Sequence, residues 1–302
     1  MEQHILITGG TGLVGTRLTE ILLQKGYKVS YLSRHAGEGK IKKYAWDIKN
    51  SKIDDEAILQ ADHIIHLAGA GVFEKRWTPE YRKEILDSRI MTTELLYKKI
   101  NALPHKLKSF VSASAIGIYG FDTGDFLNTE ESPKGKGFLA DVTQLWEKAA
   151  VPIENTGLRT VKIRIGIVLS EKGGALTELA KPVKFFVGSP MGTGKQYIPW
   201  IDIDDLCGIF VKAIEDGQMH GVYNGVAPNP VTNEVLTKAI AKQIKRPLWL
   251  PNIPAFVMKL IVGSEEADLL LGGNKVSAEK IQQAGFQFKY PLVENSLAHL
   301  LK

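Results

Sequence analysis

Short apolar, β-branched runs alternate with longer amphipathic segments through the first half of the chain. His4–Thr8 (HILIT) reads as a strand, Thr16–Lys25 as a helix closed by Gly26, and Lys28–Leu32 as a second strand. Lys43–Trp46 predicts a third strand, Asp54–Gln60 a short helix and Asp62–Leu67 (DHIIHL) a fourth strand. Thr78-Pro79-Glu80 opens a long helix that runs to about Ile100; proline suits the first turn, where its missing N–H is no loss. Lys108–Ser112 is the fifth strand, Phe121–Gly137 a polar loop of lid length, and Phe138–Glu154 a helix. Thr160–Ile165 is the sixth strand, continued by Gly166–Ser170. Such alternation predicts a parallel sheet covered on both faces. Beyond residue 170 the rhythm breaks: glycine pairs and Pro182, Pro190 and Pro199 punctuate shorter elements. Helices are expected at Asp204–Glu215, Asn233–Ile244, Phe256–Ile261 and Ser277–Ala284, with a short strand at Gly221–Asn224.

The turn after the first strand changes the picture most. Gly9-Gly10-Thr11-Gly12-Leu13-Val14-Gly15 lies between strand and helix. A strand, a glycine turn and a helix in that order form a dinucleotide-binding unit. The turn must be tight, phosphate must approach bare backbone, and the helix presents free N–H groups to it. Gly9, Gly12 and Gly15, with Thr11 and Leu13 between them, are the candidate phosphate contacts. The fold class expected is α/β: a Rossmann-type doubly wound parallel sheet over residues 1–170. Residues 171–302 would form a smaller C-terminal substrate lobe with elements returning to the core.

Further candidates follow the other strands. Ser33-Arg34 ends the second strand, where a carboxylate would select NAD and repel a 2′-phosphate. A guanidinium there suits the phosphate through charge-assisted hydrogen bonds worth roughly 1.5–3 kcal/mol, so NADP(H) is the expected cofactor. A solvent-facing arginine is the competing reading. Asp47 is either an acceptor for the adenine amino group or a turn residue. Leu67-Ala68-Gly69 offers small residues for close cofactor approach, and Ser88-Arg89 interrupts an apolar helix face with polar groups that are candidates to face the cofactor. Ser114 lies in a small-residue exit from the fifth strand, at the edge where doubly wound sheets bind ligands. It is either a catalytic hydroxyl or one that ties strand to turn.

Composition adds limits. The 302 residues carry 44% hydrophobic and 24% charged side chains, an ordinary globular balance. The net charge of +5 is mild and its cations are scattered, so no nucleic-acid partner is expected. Cys207 stands alone in an apolar stretch and reads as a buried filler in a reducing compartment. A strand at the very start does not have a signal-peptide layout, and the apolar run Ile253–Val262 is too short to span a bilayer. A cytoplasmic protein with no membrane partner is expected. The seven histidines show no metal-ligand spacing, and Asp202, Asp204 and Asp205 resemble a helix cap, so no metal is expected.

Thr8–Gly15, Leu67-Ala68-Gly69 and Ser112-Ala113-Ser114 resemble the markers of the extended short-chain dehydrogenase/reductases. Lys75–Thr78, Asp87–Ile90, Ser112–Gly120, Pro199–Asp205, Tyr223–Thr232 and Gly285–Phe288 are similar to an atypical "epimerase family" subgroup, nucleoside-diphosphate-sugar epimerase-like and sometimes called cell-division-inhibitor-like. The likeness covers nearly the whole chain. It implies an NADP(H)-binding oxidoreductase or epimerase acting on a nucleotide-sugar or another small polar substrate, and a homodimer through Pro79–Ile100 and Phe138–Glu154. It also implies a catalytic Tyr and a Lys four residues on, but no Tyr in this chain has that Lys. Aligned on Trp146-Glu147, the two positions fall on Leu139 and Thr143. Ser114 matches the family's catalytic Ser. Tyr119 is a candidate proton donor with core packing as the alternative, and Asp141 is nearer to solvent than to catalysis. Lys75, Arg76 and Arg89 are candidates for an anionic group. The missing pair opens a second reading, a cofactor-binding sensor or protein-interaction module without turnover.

Overall fold

The computed structural model describes residues 3–301. In chain order, β1 (His4–Thr8), α1 (Leu13–Gln24), β2 (Lys28–Ser33), β3 (Lys42–Asp47), β4 (Lys52–Ile53), α2 (Asp55–Gln60) and β5 (His63–His66) come first. There follow α3 (Pro79–Ala102), β6 (Ser109–Ala115), β7 (Gly124–Asn128), α4 (Phe138–Glu154), β8 (Arg159–Ile165), β9 (Ile167–Leu169) and α5 (Ala175–Lys184). The remainder is β10 (Tyr197–Ile198), β11 (Trp200–Asp202), α6 (Ile203–Glu215), β12 (Gly221–Gly225), β13 (Val231–Thr232) and α7 (Asn233–Ile244). The chain then forms α8 (Ala255–Val262), α9 (Ser264–Leu271), β14 (Asn274–Val276), α10 (Glu279–Gln283) and α11 (Val293–Leu300).

Eight strands form one sheet in the order β12-β8-β6-β5-β1-β2-β3-β4. β1 pairs in parallel with β2 and β5, β2 with β3, and β5 with β6; β4 runs antiparallel to β3. All five β1 residues are buried, as a central strand covered on both faces requires. This is the α/β, Rossmann-type architecture that the alternation predicts. Thr78 caps α3 by accepting the Tyr81 amide, with Pro79 in the first turn, and Asp54 caps α2 through the Glu56 amide. One core gathers Leu6, Ile64, Tyr44, Leu96, Phe110 and Ile153 from strands and helices of the first unit.

The contacts divide the chain into two compact units. The first holds the chain up to Ser114, Val142–Arg164 and Cys207–Val222. The second holds Ala115–Asp141, Ile165–Leu206 and the chain from Tyr223 onward. Gly166 marks one passage: a Cβ there would lie 2.2 Å from the Pro199 carbonyl oxygen, and β9 beyond it pairs in parallel with β11.

Several elements differ from expectation. α1 begins at Leu13, not Thr16, because Gly12 serves as its cap and Gly15 lies inside the helix. The polar segment Phe121–Gly137 contains β7, which pairs in parallel with β14. Its polarity reflects an edge with four of five residues exposed. The helix expected at Ser277–Ala284 shortens to Glu279–Gln283, since β14 reaches Val276. α5, α9 and α11 are additional; α5 carries Pro182 inside it, which masks its period.

Candidate functional site

The turn after β1 is built by close approach. Gly9 has φ +69°, and a Cβ on it would lie 2.9 Å from the Leu67 carbonyl carbon. A Cβ on Gly10 would enter the Tyr31 ring at 2.3 Å, and one on Gly15 would meet the Gly9 carbonyl oxygen at 2.3 Å. The Tyr31 hydroxyl donates to Thr19, whose own hydroxyl donates to the Gly15 carbonyl, locking α1 to β2. Gly12 is different. It is exposed, and a Cβ there would meet only the Gly9 carbonyl oxygen, at 3.3 Å. It caps α1 without a side-chain bond, and the first turn holds no acidic residue. The first-turn amides thus keep their donors free, at the positive end of the helix dipole. A pyrophosphate fits that cradle. Thr11 is exposed beside it and Leu13 half-buried.

The strands place the other candidates along one edge of the sheet. Ser33 ends β2 half-buried; Arg34 follows, exposed, with no hydrogen bond or ion pair. Asp47 at the end of β3 accepts the Asn50 amide at 3.1 Å and its side-chain amide at 2.7 Å. These hydrogen bonds hold its pKa below the ordinary value, and they make it the anchor of the β3–β4 turn.

A buried polar chain supports the end of β5. The Thr8 hydroxyl lies 2.7 Å from His66 Nδ1 and accepts the amides of Leu67 and Ala68 at 3.1 Å each. His66 Nε2 meets Thr93 at 3.1 Å and Thr92 at 3.3 Å on α3. Both threonine hydroxyls donate to backbone carbonyls, so the network assigns the proton of a neutral imidazole to Nε2. Burial, with Arg89 nearby, pulls the His66 pKa down to about 3 and keeps the ring neutral. Ser88 donates to the Ile85 carbonyl and accepts the Ala70 amide, fixing the loop after β5.

Arg89 lies alongside that loop. A Cβ on Gly69 would stand 3.1 Å from its guanidinium carbon. The guanidinium lies 5.2 Å over the Trp146 ring and donates once, to the Ile85 carbonyl at 2.8 Å. It has no carboxylate partner, and burial lowers its pKa to about 10.

Ser114, 2% exposed at the end of β6, donates to Glu147 Oε1 at 2.6 Å. Arg164 on β8 grips the same carboxylate with two bonds, Nε to Oε1 at 2.8 Å and Nη2 to Oε2 at 3.0 Å. Burial pushes the Glu147 pKa up, but the Arg164 hydrogen bonds and charge, with Ser114, outweigh it and hold the carboxyl below its ordinary range. Leu139 and Thr143, the Tyr and Lys positions, precede Glu147 on α4 at a spacing of four, so Glu147 continues that helix face by one turn. Asp141 is exposed. Tyr119 belongs to the second unit and is buried there. Its hydroxyl donates to Asn224 Oδ1 at 2.6 Å; the Asn224 amide reaches Glu130, and its side chain reaches the Ser277 carbonyl. Ser114 thus bonds a carboxylate of the first unit, and Tyr119 an amide of the second. Lys75 and Arg76 are exposed, Lys75 over the Tyr81 ring.

The Asp202–Asp205 segment anchors the C-terminal stretch. Asp202 accepts the Ser296 hydroxyl at 2.6 Å and the Asp204 amide at 2.8 Å. Asp205 accepts the amides of Lys289 and Tyr290. Asp202, Asp204 and His299 are the one grouping among the described residues whose ligand atoms converge within 4.8 Å. Sequence reasoning missed Glu147 as a partner, Arg164, His66 and Thr93. The available signal was charge or polarity inside apolar elements, such as Arg164 within TVKIRI and His66 within HIIHL.

The profile of the NAD dependent epimerase/dehydratase family matches residues 5–140, and a domain of unknown function, DUF1731, matches residues 253–300. The human "Epimerase family protein SDR39U1" is 33% identical over 304 residues, covering 99% of this chain and all of the relative. "Epimerase family protein YfhF" of Bacillus subtilis is 35% identical over 99% of this chain and 98% of its own length. The crystal structure of the human protein with NADPH superposes with a TM-score of 0.89 at 32% identity, over 99% of each chain. No helix among the described residues is long and apolar enough to cross a membrane. Sequence, fold and the glycine turn thus agree that the chain belongs to the epimerase family of these relatives, within the NAD dependent epimerase/dehydratases.

Proposed function

We propose that this protein binds NADP(H) and acts as an atypical short-chain oxidoreductase or epimerase on a nucleotide-sugar or another small polar substrate. The observation that carries the reading is the open, uncapped start of α1 beside Gly12, together with the unpartnered Arg34 at the end of β2. Gly9–Gly15 and the first-turn amides would hold the pyrophosphate, Ser33 and Arg34 the 2′-phosphate, and Leu67–Gly69 the floor beneath the cofactor. The relative solved with NADPH supports this choice of dinucleotide. When bound, the nicotinamide supplies hydride transfer. Ser114 commits its proton to Glu147, so it presents lone pairs to a substrate hydroxyl; Arg164 keeps Glu147 charged and Ser114 oriented. A homodimer through α3 and α4 belongs to the same reading, with Met91, Leu145 and Val151 exposed on those helices. So does a cytoplasmic site of action, which the single buried Cys207 suits.

Calorimetric titration with NADPH, NADP⁺, NADH and NAD⁺ tests the cofactor reading. NADPH is expected to bind at least about tenfold more tightly than NADH, and Arg34→Ala to abolish the difference, since one charge-assisted hydrogen bond is worth that much. Absence of binding by every dinucleotide refutes it. A second reading, cofactor binding without turnover, is favoured by Leu139 and Thr143 in place of the Tyr and Lys. It predicts tight NADPH binding, no NADPH oxidation with sugars, ketones or aldehydes, and a protein partner whose capture depends on NADPH.

A further inference from the structure

Arg89 has more hydrogen-bonding capacity than the protein uses. A guanidinium carries five N–H donors. One goes to the Ile85 carbonyl, and no carboxylate faces the group. The nearby charges do not neutralise it: Glu147 belongs to Arg164 through two bonds, and His66 is neutral. Packing against the Trp146 ring holds the guanidinium in place beside Gly69. A fixed, partly buried cation without an acid partner costs stability unless water or a ligand supplies oxygens.

The sheet order tells which part of a ligand arrives there. β6, β5, β1 and β2 are consecutive parallel neighbours, so their carboxyl ends line one edge. Along it stand Ser114 at the end of β6, Gly69 with Arg89 after β5, the glycine turn after β1 and Arg34 after β2. At strand spacings of about 4.8 Å, Arg34 and Ser114 are roughly 14 Å apart along the edge, the span of an extended dinucleotide. Arg89 falls between the phosphate turn and Ser114.

We infer that Arg89 is a binding residue for the nicotinamide-nucleotide half of the dinucleotide, holding its phosphate and ribose oxygens next to Ser114. The inference rests on the NADP(H) reading above and goes beyond it by dividing the cofactor between two arginines. Arg34 takes the adenosine 2′-phosphate, and Arg89 takes the other half. A cation at this place also stands where the oxidised pyridinium ring carries positive charge, so it favours NADPH over NADP⁺.

The test compares NADPH, NADP⁺ and 2′,5′-ADP, which lacks the nicotinamide half, on the wild type, Arg89→Met, Arg89→Lys and Arg34→Ala. Methionine keeps an apolar stem over Trp146, and thermal melts verify folding. Arg89→Met is expected to weaken NADPH about tenfold or more, as loss of a charged hydrogen bond does. It should leave 2′,5′-ADP within about twofold and lower the NADPH-to-NADP⁺ affinity ratio. Arg89→Lys should recover part of the loss, and Arg34→Ala should weaken NADPH and 2′,5′-ADP together. Equal weakening of NADPH and 2′,5′-ADP by Arg89→Met, or no weakening of NADPH, overturns the inference while leaving the cofactor reading intact. Failure of the wild type to bind either ligand overturns the cofactor reading itself.

Discussion

Replacing Glu147 by alanine removes the carboxylate that joins β6, α4 and β8. Its side chain is 11% exposed and that of Arg164 is 6% exposed, so water cannot replace the lost partner. Breaking a buried ion pair from one side costs about 3–5 kcal/mol, because the remaining charge stays desolvated. The lost Ser114 bond falls within that range. With a urea m-value of about 3 kcal/mol/M, the unfolding midpoint should fall by about 1–1.7 M. Urea titration followed by circular dichroism reads this directly. A Glu147→Leu/Arg164→Met double variant should be less destabilised than either single variant, because no charge is left unpaired. pH supplies an independent check through Glu147→Gln. The Glu147 carboxyl is held below its usual pKa in the folded state, so its contribution is fully present above the unfolded value and lost as pH falls through the folded one. The gap between wild type and Glu147→Gln should therefore narrow below about pH 4. A midpoint shift under about 0.3 M for Glu147→Ala, or additive single and double variants, would refute the reasoning.

Two further predictions separate fold from site. Gly12→Ala should keep stability within about 1 kcal/mol, since its Cβ meets one oxygen at 3.3 Å, yet abolish NADPH binding; Gly15→Ala, at 2.3 Å from the Gly9 carbonyl oxygen, should lower the melting temperature outright. Asp202 has no exposed surface, and burial pushes its pKa up to about 6 from 3.8, with the neighbouring Asp204 and Asp205 adding to the rise. The folded protein then holds a proton that the unfolded chain releases, so stability should fall as pH rises from about 4 to about 6, by roughly 1–3 kcal/mol. Thermal melts across that window should lose most of the slope in Asp202→Asn, and an unchanged slope would show that Asp202 is not its source.

The alternation of β1, α1, β2, β5, α3 and β6 was legible because a buried parallel strand needs an apolar run and a covering helix needs its own period; both are local properties. Gly9, Gly12 and Gly15 were legible for the same reason, as a turn and a helix cap concern residues adjacent in the chain. β7, β14, α5 and α11 were not, since their composition is polar or interrupted and long-range pairing decides them. The sequence alone therefore determined the sheet, the glycine turn after β1 and the type of cofactor expected, through patterns each confined to a short stretch. Tertiary structure alone decided that Ser114 gives its proton to Glu147, that Arg164 keeps that carboxylate charged, and that Arg89 is left without a counter-ion. Those partners lie 33, 17 and 57 positions away along the chain (Ser114 to Glu147, Glu147 to Arg164, Arg89 to Trp146), and only packing shows which charges meet a counter-ion and which do not.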